Sequence, residues 1–149
     1  MIKLKKQPKG TLECGIACIY MLVEGINPDE IKKKKCLKKI KDKKDRTDWE
    51  EIIDILDKCN LKCGKIVKSK SWKAFKDNKL KDKRIFLAAV NYEKKKKKKE
   101  NWHWVVLEKS EGIWHIFDPN TSRKDNTHPQ KLSSRSRTRL WKYAEIKKK

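Results

Sequence analysis

Three residues that lie far apart in the sequence have the side chains of a thiol-based catalytic site: Cys14, His103 and Asp118. Cys14 is followed by Gly15, where a substrate backbone could come close, and by apolar residues at helical spacing. It is therefore predicted to lie at the N-terminus of a helix. The positive end of a helix dipole and a nearby imidazolium both stabilise a thiolate, so we expect Cys14 to be a nucleophile.

His103 is the candidate general base. It lies in a β-rich run, from Trp102 to Leu107, that would hold the imidazole on a rigid strand. Asp118 ends the next predicted strand after one tight turn, so an antiparallel hairpin would bring its carboxylate back towards His103. That carboxylate could fix the ring tautomer and stabilise the charged imidazolium. His115 is the alternative base, but it lacks an Asp one hairpin away.

Short motifs surround these three residues. They read Glu13-Cys14-Gly15-Ile16-Ala17 with Gln7 ahead of it, His103-Trp104-Val105-Val106-Leu107, and Asp118-Pro119. In this order they resemble the bacteriocin-processing peptidase family, papain-like domains that cleave leader peptides after a double glycine. The sequence departs from that family at two points, because Gln7 stands one position further from the cysteine and Glu13 replaces an aspartate.

The resemblance implies a papain-like fold and peptide-bond hydrolysis by a Cys14–His103–Asp118 triad, with Gln7 as an oxyanion donor. This chemistry needs no metal or organic cofactor. No transporter segment follows, so we expect a stand-alone enzyme whose peptide or protein substrate stays open. Two alternatives remain: transglutaminase- or deamidase-type attack on a glutamine side chain by the same triad, and a non-catalytic module that binds through its basic surface.

The elements that must position the site fall into two halves. Helices are predicted over 15–24, from Asn27 to about Ile40, over about 48–58 behind a capping box that starts at Thr47, and over 71–78. Strands are predicted over 61–67, in the runs that begin at Arg84, Asn101 and Gly112, and in RLWKYAEI near the C-terminus. We therefore predict one α+β domain, residues 1–149, in which an N-terminal helical half packs on a C-terminal antiparallel sheet.

Two neighbours of the predicted catalytic residues have other expected roles. Trp104 follows His103 directly and is predicted to line the substrate cleft. Cys18 lies one helical turn after Cys14 among apolar residues, so we expect it in the core, with redox pairing to Cys14 as the lesser alternative.

The formal net charge of +22 is concentrated in the lysine-rich stretches 32–44 and 94–99. Such charge favours non-specific attraction to an acidic protein or nucleic acid. Lysine greatly outnumbers arginine, which argues against base-specific readout. We expect the runs to be solvated and to affect partner encounter and not the chemistry.

The five cysteines are expected to be reduced thiols. Neither Cys14 with Cys18 nor Cys59 with Cys63 is joined by a second Cys or His pair at zinc-finger spacing, so a structural zinc site is disfavoured. The basic N-terminus is followed by no apolar run long enough for a signal peptide or a membrane span. The protein is therefore predicted to be soluble and cytoplasmic.

Overall fold

The computed structural model of this protein describes residues 2–5, 14–33, 48–68, 72–77, 84–91, 102–120, 130–131 and 139–149. The α-helices in these ranges are α1 (Cys14–Ile26), α2 (Trp49–Lys58) and α3 (Trp72–Asp77). The strands are β1 (Leu61–Cys63), β2 (Val67–Lys68), β3 (Ile85–Asn91), β4 (Trp102–Ser110), β5 (Ile113–Phe117), β6 (Gln130–Lys131) and β7 (Arg139–Lys148). The helices precede the main strands in the chain, which confirms the predicted α+β arrangement.

α1 is the helix that packs on the sheet. Its buried residues are Cys14, Gly15, Ala17, Cys18, Ile19, Met21, Leu22 and Val23. This wide apolar face lies against β4, and the helix also contacts β7. The helix ends at Ile26, and Pro28 then opens a 3-10 turn, Pro28–Lys32. The predicted helix from Asn27 to Ile40 is therefore only this turn within the described residues, and 34–40 lie outside them.

α2 matches the predicted third helix. Its N-cap is Asp48, whose Oδ1 accepts a hydrogen bond from the Glu51 N–H at 2.9 Å. This cap lies one position later than the predicted start at Thr47, a residue outside the described ranges. At the other end Asn60 has a φ of 57°, a left-handed conformation that asparagine tolerates and that stops the helix. The apolar face of α2 buries Ile52 and Leu56.

The strands form one antiparallel sheet in the order β1-β7-β3-β4-β5-β6, with β2 also paired to β7. β4 and β5 are joined by a two-residue turn at Glu111 and Gly112, since Ser110 pairs with Ile113. Both turn residues have positive φ angles, 51° and 76°. A turn of this kind matches the right-handed twist of its strands and fixes their register. The register then determines which side chains meet at the open end of the hairpin.

The two faces of the sheet carry separate cores. The face that bears α1 buries Leu87, Ala89, Trp104 and Val106 together with residues of α1 and α2. The opposite face buries Val105 and Leu107 with an aromatic cluster around α3. Trp104 is completely buried and its ring centroid lies 4.6 Å from that of Trp49, edge to face. The prediction that Trp104 lines a substrate cleft is therefore wrong, because successive strand residues point to opposite faces and this one faces the helices.

Residues at the beginning of the chain are tied to the far end of β4. The N–H of Ile2 lies 3.3 Å from both carboxylate oxygens of the buried Glu108, and the Ile2 side chain joins the core beneath α1. None of the helices in the described part of the chain is both long enough and apolar enough to cross a membrane.

The cysteines differ from the prediction at one position. Cys14, Cys18 and Cys63 carry free thiols, but Cys59 is disulfide-bonded. The expectation of five reduced thiols is therefore wrong. A disulfide requires two Cα atoms about 4.4–6.8 Å apart, a condition that the tertiary fold sets and that cysteine spacing in the sequence does not reveal.

Candidate active site

His103 and Asp118 lie at the open end of the β4–β5 hairpin. Val106 pairs with Phe117 across the hairpin, so Asp118 lies diagonally across from His103 on the same face of the sheet. His103 Nε2 is 2.6 Å from Asp118 Oδ1. Both side chains are mostly buried, with 10% and 8% of their surface exposed. The contact that the hairpin spacing predicted is therefore present.

A backbone hydrogen bond holds the carboxylate of Asp118 in place. Its Oδ1 also accepts from the Asn120 N–H at 2.9 Å. An aspartate that bonds the backbone two residues further on forms an Asx turn, which orients the carboxylate as the chain leaves the strand. None of the motifs around the predicted catalytic residues includes Asn120. Its signal was the turn-forming sequence Asp118-Pro119-Asn120, directly after a strand.

Cys14 completes the cluster, because its thiol is hydrogen-bonded to the His103 ring. Nε2 of that ring is bonded to Asp118, so Nδ1 is the nitrogen left to face the thiol. Cys14 is the first residue of α1 and His103 is the second residue of β4. The two residues therefore meet where both elements begin, at one end of the sheet. This end position lets the ring reach the helical side, although Val105 and Leu107 further along the strand pack on the opposite face.

The environment of His103 favours its charged form. Burial by itself would lower the pKa of the ring, but hydrogen bonds and negative charge from Asp118 and Cys14 outweigh burial and raise the pKa of His103 to about 9. At neutral pH the ring is therefore an imidazolium between two acidic partners. An imidazolium next to a cysteine is the arrangement that stabilises a thiolate.

The raised pKa of His103 predicts how stability depends on pH. Because the folded pKa lies above the ordinary value of 6.5, protonation stabilises the fold below about pH 6.5, and this contribution is lost as the pH rises through 9. Asp118→Asn removes a main cause of the raised pKa. We therefore expect the difference in Tm between wild type and Asp118→Asn to be largest near pH 6 and to shrink towards pH 9.5.

Thermal melting across this pH range tests the prediction. The matched control is Asp54→Asn, at an exposed position on α2, for which the Tm difference should not change between the two pH values. A Tm difference for Asp118→Asn that stays constant would contradict the raised pKa of His103.

Cys18 lies beneath this cluster and is fully buried. Burial raises the pKa of its thiol well above the ordinary range, and negative charge on Cys14 and Asp118 raises it further. Cys18 therefore stays protonated and is no rival nucleophile. Its predicted place in the core is confirmed, and both it and Cys14 are free thiols here.

The alternative base, His115, does not join the cluster. His115 lies on β5 opposite Glu108, nearer the hairpin turn than the open end. Gln7 and Glu13 lie outside the described residues, as do positions 34–44 and 94–99 of the two lysine runs. Their assigned roles stay predictions from the sequence.

Comparisons with known proteins agree with this layout. The model of the peptidase C39 family matches residues 3–135, a span that includes all three clustered side chains. Among solved structures, the chain is similar to a double glycine motif protease from an AMS/PCAT transporter in complex with the leader peptide. That match has a TM-score of 0.67 and 16% sequence identity, and it covers 100% of this chain and 93% of the other. At this identity the likeness shows a shared fold. No curated protein sequence matches the chain significantly.

Proposed function

Because this chain belongs to the peptidase C39 family and is therefore a cysteine peptidase, we propose that it cleaves peptide bonds with Cys14 as nucleophile, His103 as general base and Asp118 as the orienting residue. One observation carries the proposal. The Cys14 thiol bonds to the His103 ring, whose Nε2 lies 2.6 Å from Asp118. A nucleophile, a base within its reach and a group that orients the base are the parts that acyl transfer to a thiol requires.

The first half of the reaction acylates Cys14. His103 already holds the proton on Nδ1 as an imidazolium, and the thiolate sulfur of Cys14 attacks the carbonyl carbon of the scissile bond, so that a C–S bond forms and the carbonyl oxygen becomes an oxyanion. The first N–H groups of a helix have no partners within it, so those at the start of α1 can hold this oxyanion. His103 then gives its proton to the leaving amine, the C–N bond breaks, and a thioester remains.

The second half releases the product. A water molecule loses a proton to His103 and attacks the thioester carbonyl, and the C–S bond then breaks as the thiolate leaves. Asp118 stays ionised throughout. It accepts from Nε2–H, so that Nδ1 keeps facing the sulfur and the imidazolium is stabilised in both halves. Gln7 is the further oxyanion donor that the family resemblance implies.

The substrate we propose is a peptide with two glycines before the cleaved bond. The solved relative is a double glycine motif protease bound to a leader peptide. A physical feature of this chain fits such a substrate, because Cys14 and His103 are only 7% and 8% exposed. Residues without a side chain can bring their carbonyl carbon closest to so enclosed a thiol.

Mass spectrometry of peptides incubated with the purified full chain tests the proposal. One peptide carries Gly-Gly and a glutamine, and a second carries Ala-Ala in place of Gly-Gly. We expect two products from the first peptide only, with cleavage after the second glycine. A single product of slightly higher mass would instead indicate deamidation of the glutamine. No covalent change, together with equally slow alkylation of Cys14 and Cys63, would indicate a non-catalytic binding module.

A further inference from the structure

Two lysines stand directly opposite each other at one edge of the sheet. Lys68 of β2 pairs in register with Lys142 of β7. Like charges in directly opposite positions destabilise a sheet, and neither lysine makes an ion pair with an acidic residue in the part of the chain that the structure describes. A second such pair, Lys62 with Lys147, has Glu145 within 3.8 Å. The pair of Lys68 and Lys142, here called the opposed lysine pair, therefore has unbalanced charge.

The opposed lysine pair lies on the face of the sheet that α1 and its Cys14 cover, towards the end at which β4 begins. The register forms one row across four strands, from Trp104 through Ala89 and Lys142 to Lys68. Trp104 and Ala89 belong to the core that α1 covers, and Trp104 is the direct neighbour of His103. With strands about 4.8 Å apart, the lysine backbones lie about 10 and 14 Å from that of Trp104.

An exposed tryptophan adjoins the pair. The register between β3 and β7 shifts between Ala89 and Val90, which leaves Trp141 as an extra residue in β7. Such bulges re-aim side chains and often occur beside active sites. Trp141 is 37% exposed, and Lys142 Nζ lies 4.4 Å from the centroid of its ring. This cation–π contact holds the ammonium group at the surface beside the ring.

We propose that the opposed lysine pair is a substrate subsite, which binds an acidic side chain of the peptide while Trp141 packs against its neighbour. The proposal rests on the peptidase function above and adds a specificity to it. An extended peptide rises about 3.3 Å per residue, so the acidic residue lies about three or four residues from the cleaved bond.

A peptide suits this subsite better than a nucleic acid does. Two lysines at directly opposite positions of paired strands suit one carboxylate, whereas a nucleic acid needs a row of cations that follows its phosphates. The ring of Trp141 is also partly covered by Lys142, which obstructs base stacking. The nearby reaction, moreover, acts on peptides.

The test measures peptide binding without turnover. Fluorescein-labelled peptides carry Gly-Gly with serine flanks, and one serine is replaced by aspartate at successive positions on either side. Fluorescence anisotropy gives Kd for the full chain bearing Cys14→Ala. The same measurement is made after adding Lys68→Ser with Lys142→Ser, or the matched control Lys62→Ser with Lys147→Ser. Both double changes remove the same charge, and thermal melting checks that each variant is folded.

We expect aspartate about three or four residues from Gly-Gly, on one side, to tighten binding about threefold to tenfold over serine. This preference should disappear in the Lys68/Lys142 variant, persist in the Lys62/Lys147 variant and weaken at high salt. The proposal is overturned if the preference is equal in both variants, does not depend on position, or is absent. The proposal is also overturned if an oligothymidylate binds more tightly than every peptide and loses this affinity in the Lys68/Lys142 variant. If the chain with Cys14 present cleaves no peptide but the aspartate preference remains, the catalytic proposal is rejected and the subsite proposal stands.

Discussion

Replacing Cys14 with alanine is expected to lower kcat/KM for a Gly-Gly peptide by about 10⁴-fold or more. Without the sulfur atom no acyl-enzyme can form, and neither His103 nor Asp118 can take over the attack on the carbonyl carbon. The fold should persist, because Cys14 is the first residue of α1 and alanine is the most favourable helix residue. Initial hydrolysis rates and thermal melting of the same preparations measure the two effects.

Cys63→Ala is the matched control for the Cys14 change. Cys63 is also a free thiol, but it lies on β1, where it contributes to no part of the cluster. Its replacement should leave hydrolysis nearly unchanged. Turnover retained by Cys14→Ala would show that another group is the nucleophile, and equal losses in both variants would indicate a general effect of thiol removal.

The second large effect is expected for the base and its partner. His103→Ala should be about as damaging as the change at Cys14, because the nucleophile and the base act as a unit. Asp118→Asn should cost about 10- to 100-fold less, since it leaves the base in place. Asparagine keeps an Oδ1 that can accept from the Asn120 N–H, now bonded to Asp118 at 2.9 Å. It removes only the negative charge, so the variant separates the electrostatic role of Asp118 from its role in the turn.

Rates of hydrolysis between about pH 5 and 10 distinguish these roles. Asp118→Asn should change the pH dependence of the rate as well as its maximum, because the carboxylate helps to raise the pKa of His103 to about 9. His115→Ala is the control, at a half-buried histidine on β5. If His115→Ala proved the more harmful of the two histidine changes, the general base would have been assigned wrongly.

The parts of the site that local patterns determine could be predicted from the sequence. The meeting of His103 with Asp118 follows from two alternating runs and a tight turn, because hairpin register is a local property. The start of α1 at Cys14 follows from the apolar spacing after it. In both cases residues close in sequence carry the whole signal.

Long-range packing determines the rest, and the sequence did not reveal it. Trp104 is adjacent to His103 in sequence but lies under Trp49 in the core, since the partner of each strand face depends on where the helices pack. The disulfide at Cys59 and the row that joins Lys68 to Trp104 depend on contacts between distant segments. No local pattern contains that information.

The β4–β5 hairpin also has a consequence for the order in which the site is assembled during synthesis. A hairpin with a two-residue turn pairs neighbouring residues at little cost in loop-closure entropy, whereas the contact of Cys14 with His103 joins distant parts of the chain. The ribosome releases α1 well before β4 and β5. Cys14 therefore emerges before the residue that we propose as its base. With the proposed triad, the Cys14 thiol becomes a competent nucleophile only after the hairpin has emerged and docked.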